Sequence, residues 1–278
     1  MAAWSVGEAL AEGRRALSTR SATAGLDAQM LLAEAMGARR EHLLAHPDDP
    51  LIPEQQAAFL SGLGRLVAGE PLPYVLGWWE FYGRRFGVTP AVLIPRPETE
   101  LLIDEALKVP RLRSDGSRLI DLGTGSGCLA ITLALELPGR RALATDVSRE
   151  ALRVARSNAD LHRVRDRINF LCLDLAFGLE LRQAVVLANL PYVSDVEAGN
   201  LPQEPRLALE GGADGLVLLR RLLGQFGRRR PVATTVLLEI GAGQSAILQD
   251  AIAATCSPAH TWLVQDLAGH DRVLGMEF

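Results

Sequence analysis

Residues 118–137 read RLIDLGTGSGCLAITLALEL. A short apolar run ends in Asp121-Leu122, glycine then recurs at Gly123, Gly125 and Gly127 with Thr124 and Ser126 between them, and a helical run follows from Ser126. Glycines so placed let the backbone turn tightly and approach a ligand at a helix N-terminus, where unpaired amides and the helix dipole favour negative charge. A dinucleotide fingerprint would put its third glycine at 128, where this chain has Cys128. The spacing is G-x-G-x-G, with an acid two residues before it. That pattern favours S-adenosyl-L-methionine over NAD: this ligand has no pyrophosphate and carries an ammonium, so a neighbouring carboxylate such as Asp121 is useful and not repulsive.

Outward from the loop, strand-like and helical runs alternate from Ser117 onward: RALATD, then a helix from Ser148, INFLCLD, AVVLAN, a helix near 215–226, VATTVLLEI, a helix near 243–254, TWLVQD and DRVLGMEF. Such alternation predicts an α/β fold with a mostly parallel sheet and helices on both faces. Only DLAGHD separates the last two strands, so they should pair antiparallel. The second strand ends at Asp146, where a carboxylate can accept from both ribose hydroxyls. The third is expected to end at Asp174, where an acid can take the exocyclic amine of adenine. Each aspartate has a plain alternative as a helix cap; the loop and the strand-end acids together favour cofactor binding.

The fourth strand runs into Asn189-Leu190-Pro191-Tyr192. Alone this tetrapeptide reads as a turn. At the carboxyl end of a parallel strand it falls in the crevice where doubly wound sheets place ligands. The Asn189 side-chain carbonyl and the Leu190 backbone carbonyl can converge on one NH2 group, Pro191 fixes the turn, and the Tyr192 ring can flank a flat acceptor. This suits methylation of a planar nitrogen, an amide or an exocyclic base amine, whose delocalised lone pair must be held in line with the incoming methyl.

The whole chain has 278 residues, 48% hydrophobic and 22% charged, which excludes fibrous and disordered classes. With 29 basic and 33 acidic residues the net charge is -4, so no global positive field favours nucleic acid. Local arginine clusters stand at 163–167 and 228–230. Cys128, Cys172 and Cys256 are isolated, His42 and His46 form the only close histidine pair, and no metal site is expected. The first residues carry Glu8 and Glu12 where a signal peptide would be basic, and no apolar run approaches a membrane span, so a soluble, cytoplasmic protein is expected. Residues 1–75 hold six arginines against nine acids and read as several short helices, a protein-recognition or scaffold module. Residues 76–97 read as a β-hairpin linker, and 98–278 as the α/β domain.

The segments GEPLPYVLGWWEFYGRRF at 69–86, VLIPRPETE at 92–100, DLGTGSG at 121–127, NLPY at 189–192, EPRLALEGGADGL at 204–216, LEIGAGQ at 238–244 and QDLAGHDRVL at 265–274 make the chain closely resemble the HemK/PrmC family of protein-(glutamine-N5) methyltransferases, which modify peptide chain release factors. The resemblance implies a seven-stranded class I (Rossmann-like) methyltransferase domain, a small helical N-terminal domain and a hairpin linker. It further implies S-adenosyl-L-methionine as cofactor and the glutamine of a Gly-Gly-Gln loop as acceptor, in support of translation termination. Carried over, Asp121 and Gly123 to Gly127 would surround the methionine part, Asp146 the ribose, and Asp174 with Leu175 the adenine; Asn189, Leu190, Pro191 and Tyr192 would hold the amide. Arg96 and Glu98 are candidates for closing the pocket, and the Gly211-Gly212 turn for shaping the acceptor channel. The family usually has Pro at the position of Leu190. Two readings compete: an adenine-N6 nucleic-acid methyltransferase, which Asn-x-Pro-Tyr would also serve but the charge disfavours, and a non-catalytic cofactor-binding interaction protein.

Overall fold

The computed structural model describes residues 4–113, 116–199 and 203–278. Two compact units divide the chain, Met1–Trp78 and Trp79–Phe278. The first is built from helices α1 (Val6–Leu17), α2 (Ala24–Met36), α3 (Arg40–Ala45), α4 (Pro53–Val67) and α5 (Leu72–Leu76). Helix α1 starts in a capping box: Ser5 Oγ accepts from the Glu8 amide and the Glu8 carboxylate accepts from the Ser5 amide. Ala9, Gly13 and Leu17 recur every four residues along its buried face, and a methyl on Gly13 would stand 2.7 Å from the Ala28 Cβ, so small residues let α1 and α2 approach closely. Leu31, Leu32, Phe59 and Leu63 complete this core.

Strands β1 (Trp78–Phe81) and β2 (Arg84–Gly87) form a hairpin whose two turn residues, Tyr82 and Gly83, both have positive φ, as a two-residue primed turn requires. The seven-stranded sheet of the second unit comprises β3 (Arg118–Leu122), β4 (Ala142–Asp146), β5 (Ile168–Cys172), β6 (Ala184–Ala188), β7 (Thr235–Glu239), β8 (His260–Gln265) and β9 (Asp271–Glu277). Its order is β5-β4-β3-β6-β7-β9-β8. The neighbours from β5 to β7 pair parallel, and β9 enters antiparallel between β7 and β8. The expected antiparallel pairing of the last two strands is therefore present, with β9 also meeting β7.

Helices α6 (Glu100–Lys108), α7 (Cys128–Glu136), α8 (Arg149–Leu161), α9 (Asp195–Ala198), α10 (Val217–Arg229) and α11 (Ser245–Thr255) flank or connect the strands. Alternate residues of each strand feed opposite cores. Leu119, Val185, Leu187 and Leu237 pack with α6 and α7, while Ile120, Val186, Val236 and Leu238 pack with α10 and α11. All five residues of β6 are buried, which is why AVVLA is a continuous apolar run without alternation. Strand order reverses between β3 and β6, so their carboxyl ends bound the crevice typical of doubly wound sheets. Among the described residues no helix is long and apolar enough to cross a membrane.

Two local expectations need correction. The helix expected from Ser126 begins at Cys128, because Gly127 sits at φ +84 and cannot be a helical residue. Asp174 does not end a strand: β5 stops at Cys172, and the chain then turns through Leu175 at φ +52.

Candidate active site

Asp121, next to last in β3, is 1% exposed and holds the loop to the helix that follows. Its Oδ2 accepts from Thr124 Oγ1 at 2.6 Å and from the Ala130 amide at 3.2 Å, while Oδ1 has no partner among the described residues. Burial pushes this carboxyl up to about 6. Gly123 has φ +71, and a Cβ there would stand 3.1 Å from Leu190 Cδ2 and 3.8 Å from the Asn189 carbonyl oxygen. The glycine loop and the Asn189–Tyr192 segment thus touch, and only glycine satisfies both the dihedral and the approach. Thr124 donates its amide to the Thr145 carbonyl at 2.8 Å, tying the loop to β4. Ser126 is buried behind the loop, its carbonyl accepting from Asn158 Nδ2 at 2.8 Å.

Asp146 closes β4. One carboxylate oxygen accepts from the Gly125 amide at 3.0 Å and the other from the Ser148 amide at 2.8 Å, where Ser148 caps α8. Burial raises its pKa, and these amides oppose the rise. Asp174 is exposed and paired with Arg221 of α10 at 2.6 Å. Leu175 beside it is 7% exposed.

Asn189 follows β6 directly. Its Nδ2 donates to Thr99 Oγ1 at 2.9 Å, which leaves Oδ1 as the acceptor the side chain presents. No backbone amide donates to the Leu190 carbonyl among the described residues. The Leu190 side chain is 3% exposed, packed over Gly123. After Pro191, the Tyr192 hydroxyl donates to Glu239 Oε1 at 2.9 Å, and its pKa rises through burial and the neighbouring Glu239 carboxyl. Glu239 ends β7 fully buried, with Oε2 unpartnered among the described residues. Burial pushes it up to about 7, with the hydroxyls of Thr99 and Tyr192 pulling the other way and Glu98 adding to the rise.

The Tyr192 backbone is clamped as well: Gln244 Nε2 donates to its carbonyl at 3.0 Å, and a Cβ on Gly215 would fall 2.1 Å from that same oxygen. The Gly211 amide donates to the Val193 carbonyl at 2.8 Å, so the Gly211-Gly212 turn lies alongside the segment that follows Tyr192. Arg96 pairs with the buried Glu204 at 2.5 Å, joining the Pro95–Glu100 segment to the loop that carries Gly211; Glu98 is exposed. Thr99, Glu239, Gln244 and Glu204 were not singled out from sequence. The one available signal was Glu239, a further acid at the end of an apolar strand.

The donor set fits S-adenosyl-L-methionine. Asp121 keeps an unpartnered carboxylate oxygen, Asp146 has lone pairs beyond its two amide bonds, and the space beside Gly125 meets nothing closer than the Gly123 carbonyl at 4.0 Å. Two carboxylates at the loop suit an ammonium and ribose hydroxyls and would repel a pyrophosphate.

A family model described as the PrmC N-terminal domain matches residues 8–77, and one described as ribosomal protein L11 methyltransferase (PrmA) matches residues 102–191. The release factor glutamine methyltransferase of Moorella thermoacetica is 40% identical over 254 residues, 89% of this chain and 89% of that protein. That of Cereibacter sphaeroides is 38% identical over 275 residues, 95% of this chain and 96% of its own. Among solved structures, the hMettl16 catalytic domain in complex with MAT2A 3'UTR hairpin 1 aligns with a TM-score of 0.56 at 17% identity, over 83% of this chain and 84% of that one, a likeness of fold alone. With that much identity over nearly its full length, the chain belongs to the release factor glutamine methyltransferase family.

Proposed function

We infer that the crevice at the carboxyl ends of β3, β4 and β6 transfers a methyl group from S-adenosyl-L-methionine to the side-chain amide nitrogen (N5) of a release-factor glutamine, the one in the Gly-Gly-Gln loop. When bound, the cofactor supplies an electrophilic sulfonium methyl, whose C–S bond breaks as the new N–C bond forms. Asp121 and the loop from Gly123 to Gly127 cradle its methionine part. Asp146 accepts from the ribose hydroxyls, and Asp174 with Leu175 borders the adenine.

The observation that carries this reading is the commitment of Asn189 Nδ2 to Thr99. It leaves Oδ1 as the acceptor that Asn189 presents, and with the Leu190 carbonyl, to which no backbone amide donates among the described residues, it supplies two acceptors for the two N–H bonds of a primary amide. Holding both N–H bonds aims the nitrogen lone pair and favours the positive charge that develops on it. Pro191 keeps the turn, and the Tyr192 ring, anchored through Glu239, flanks the amide plane. Once bonded to the methyl the nitrogen becomes acidic, so its proton passes to water without a strong base. The helical unit, whose sequence is net acidic, supplies additional contacts to the release factor. Cys128, Cys172 and Cys256 are all free thiols, which suits a reducing cytoplasm.

The test is incubation with labelled cofactor and either a release factor or DNA and RNA, followed by mass spectrometry. One methyl on the Gly-Gly-Gln glutamine is expected; methylated adenine, or no transfer at all, would overturn the assignment.

A further inference from the structure

Helix α3 carries His42 and ends at its cap residue, His46, four positions on, so both side chains fall on one face. Their rings stack with centroids 4.4 Å apart. From sequence the pair carries no metal expectation, since no cysteine stands near it; the fold brings it a carboxylate instead. The chain turns after Pro47, and Asp49 returns with Oδ2 3.7 Å from His42 Nε2. One ligand-type atom from each of His42, His46 and Asp49 lies within 4.8 Å of the other two. Among the described residues no other group of three His, Cys, Asp or Glu side chains comes together in this way, so a metal titration has one candidate site to report on.

Two features distinguish this arrangement from a chance meeting of surface groups. His46 Nδ1 lies 3.1 Å from the His42 carbonyl oxygen. A carbonyl can only accept, so that nitrogen carries the ring proton and Nε2 keeps its lone pair. Metal-ligating histidines commonly have their tautomer fixed by such a bond. The turn that carries Asp49 is also fastened along its length: the Gly7 amide donates to the Pro47 carbonyl at 2.7 Å, the Val6 amide to the Asp49 carbonyl at 2.9 Å, and the Leu51 amide to the Trp4 carbonyl at 2.8 Å. Leu43, beside His42, and Leu51, two residues past Asp49, are buried in the core of the helical unit. The backbone under each ligand is therefore fixed, while the ligand side chains are exposed or half-buried and can turn. Zinc–ligand bonds of about 2.0–2.2 Å set ligand atoms about 3.3 Å apart on a tetrahedral ion, and side-chain rotation can close the separations of up to 4.8 Å to that value.

We propose that His42, His46 and Asp49 form a binding site in the helical unit for a divalent transition-metal ion of the zinc class. Two imidazoles and one carboxylate suit zinc, nickel or copper, whereas magnesium and calcium take sets made of oxygen. Three protein ligands leave one tetrahedral position to water. The ion's task is structural: it ties the end of α3 to the turn that the first residues of α1 hold, a cross-link between elements that otherwise meet through backbone hydrogen bonds and a small core. This inference does not depend on the methyl-transfer reading. The competing account is a surface ion pair between a protonated His42 and Asp49, which contributes little and takes up no metal.

The experiment titrates the full-length chain, free of any histidine tag, with zinc chloride in a non-coordinating buffer and reads the heat of binding. One equivalent of zinc should bind, and magnesium chloride at the same concentrations should give no binding heat. His42→Ala and His46→Ala should each weaken zinc binding by more than about tenfold, since loss of even an outer-shell partner of a ligand costs about 10–100-fold in metal affinity. Asp49→Asn should weaken it as well. Cys172→Ser, which removes an exposed thiol in the other unit, should bind zinc as the wild type does. Melting curves recorded without metal show that each variant is folded; should one histidine variant not fold, the other and Asp49→Asn decide. Absence of saturable one-to-one zinc binding overturns the proposal. So does wild-type affinity in the folded histidine variants, or a loss confined to Cys172→Ser, either of which would put the ion elsewhere on the molecule.

Discussion

Replacing Asp146 by alanine tests the cofactor reading and the loop architecture at once. The carboxylate accepts from the Gly125 amide at 3.0 Å and the Ser148 amide at 2.8 Å, so truncation frees one amide in the glycine loop and one at the start of α8. Hydrogen bonds to a charged group contribute about 1.5–3 kcal/mol each, hence about 3–6 kcal/mol for the two. Burial already disfavours the charge, as its raised pKa shows, so removing it returns part of that. A net loss of about 1–3 kcal/mol in unfolding free energy is expected. For the cofactor, losing two charge-assisted bonds to the ribose amounts to about 3–6 kcal/mol, or about 10²–10⁴ in Kd. Urea unfolding gives the first number and calorimetric titration with S-adenosyl-L-methionine the second. A folded Asp146→Ala variant that is less stable yet binds the cofactor with wild-type affinity would refute the ribose contact and leave Asp146 as a loop anchor only.

Three further outcomes are expected. Gly123→Ala forces a left-handed residue with φ +71 and a Cβ 3.1 Å from Leu190; about 1–2 kcal/mol, or about 2–8 °C in Tm, should be lost, with turnover falling too, as calorimetry and a methylation assay would show. Burial raises Asp121 to about 6 and Glu239 to about 7, from 3.8 and 4.5. The folded chain therefore keeps protons that the unfolded chain releases, and this contribution to stability is full at low pH and lost as pH rises from ~4 through ~7. Subtracting urea unfolding curves of Glu239→Gln from wild type across that range isolates the Glu239 part, with Glu98, Arg272 and Tyr192 the charged or titratable groups that act on it; a flat difference would contradict the sign. Leu190→Pro should retain turnover within about tenfold, since the backbone carbonyl remains, and loss of transfer in a folded Leu190→Pro variant would show that the leucine side chain is needed.

Sequence reading found what depends on neighbours along the chain. The run AVVLA is a strand because every side chain in it is buried, and the glycines of the loop are needed for local dihedrals and close approach, so both leave a local trace. The role of Asp174 was harder to place: its strand stops two residues earlier, and its ion-pair partner, Arg221, lies on a helix 47 residues further on. Thr99 and Glu239 were missed for the same reason. Thr99 meets Asn189 across 90 residues of sequence, and Tyr192 meets Glu239 across 47, pairings created by sheet order and by the packing of α6. Glu239 nonetheless ended an apolar run, and the rule applied to Asp121 and Asp146 reaches it when extended by one strand.

The insertion of β9 between β7 and β8 sets a timetable for assembly. Strands β3 to β6 can find neighbours as they leave the ribosome, but β7, which carries Glu239, keeps an open edge until β9 emerges. The intervening stretch is about 30 residues, a few seconds at ~5–20 residues per second. During that interval the main-chain groups of β7 that will bond to β9 remain unpaired, including the Ile240 amide that later donates to Arg272. The ledge holding Tyr192 is thus among the last parts of the sheet to become rigid, and nascent chains arrested before residue 271 should expose β7 to protease and to chaperones.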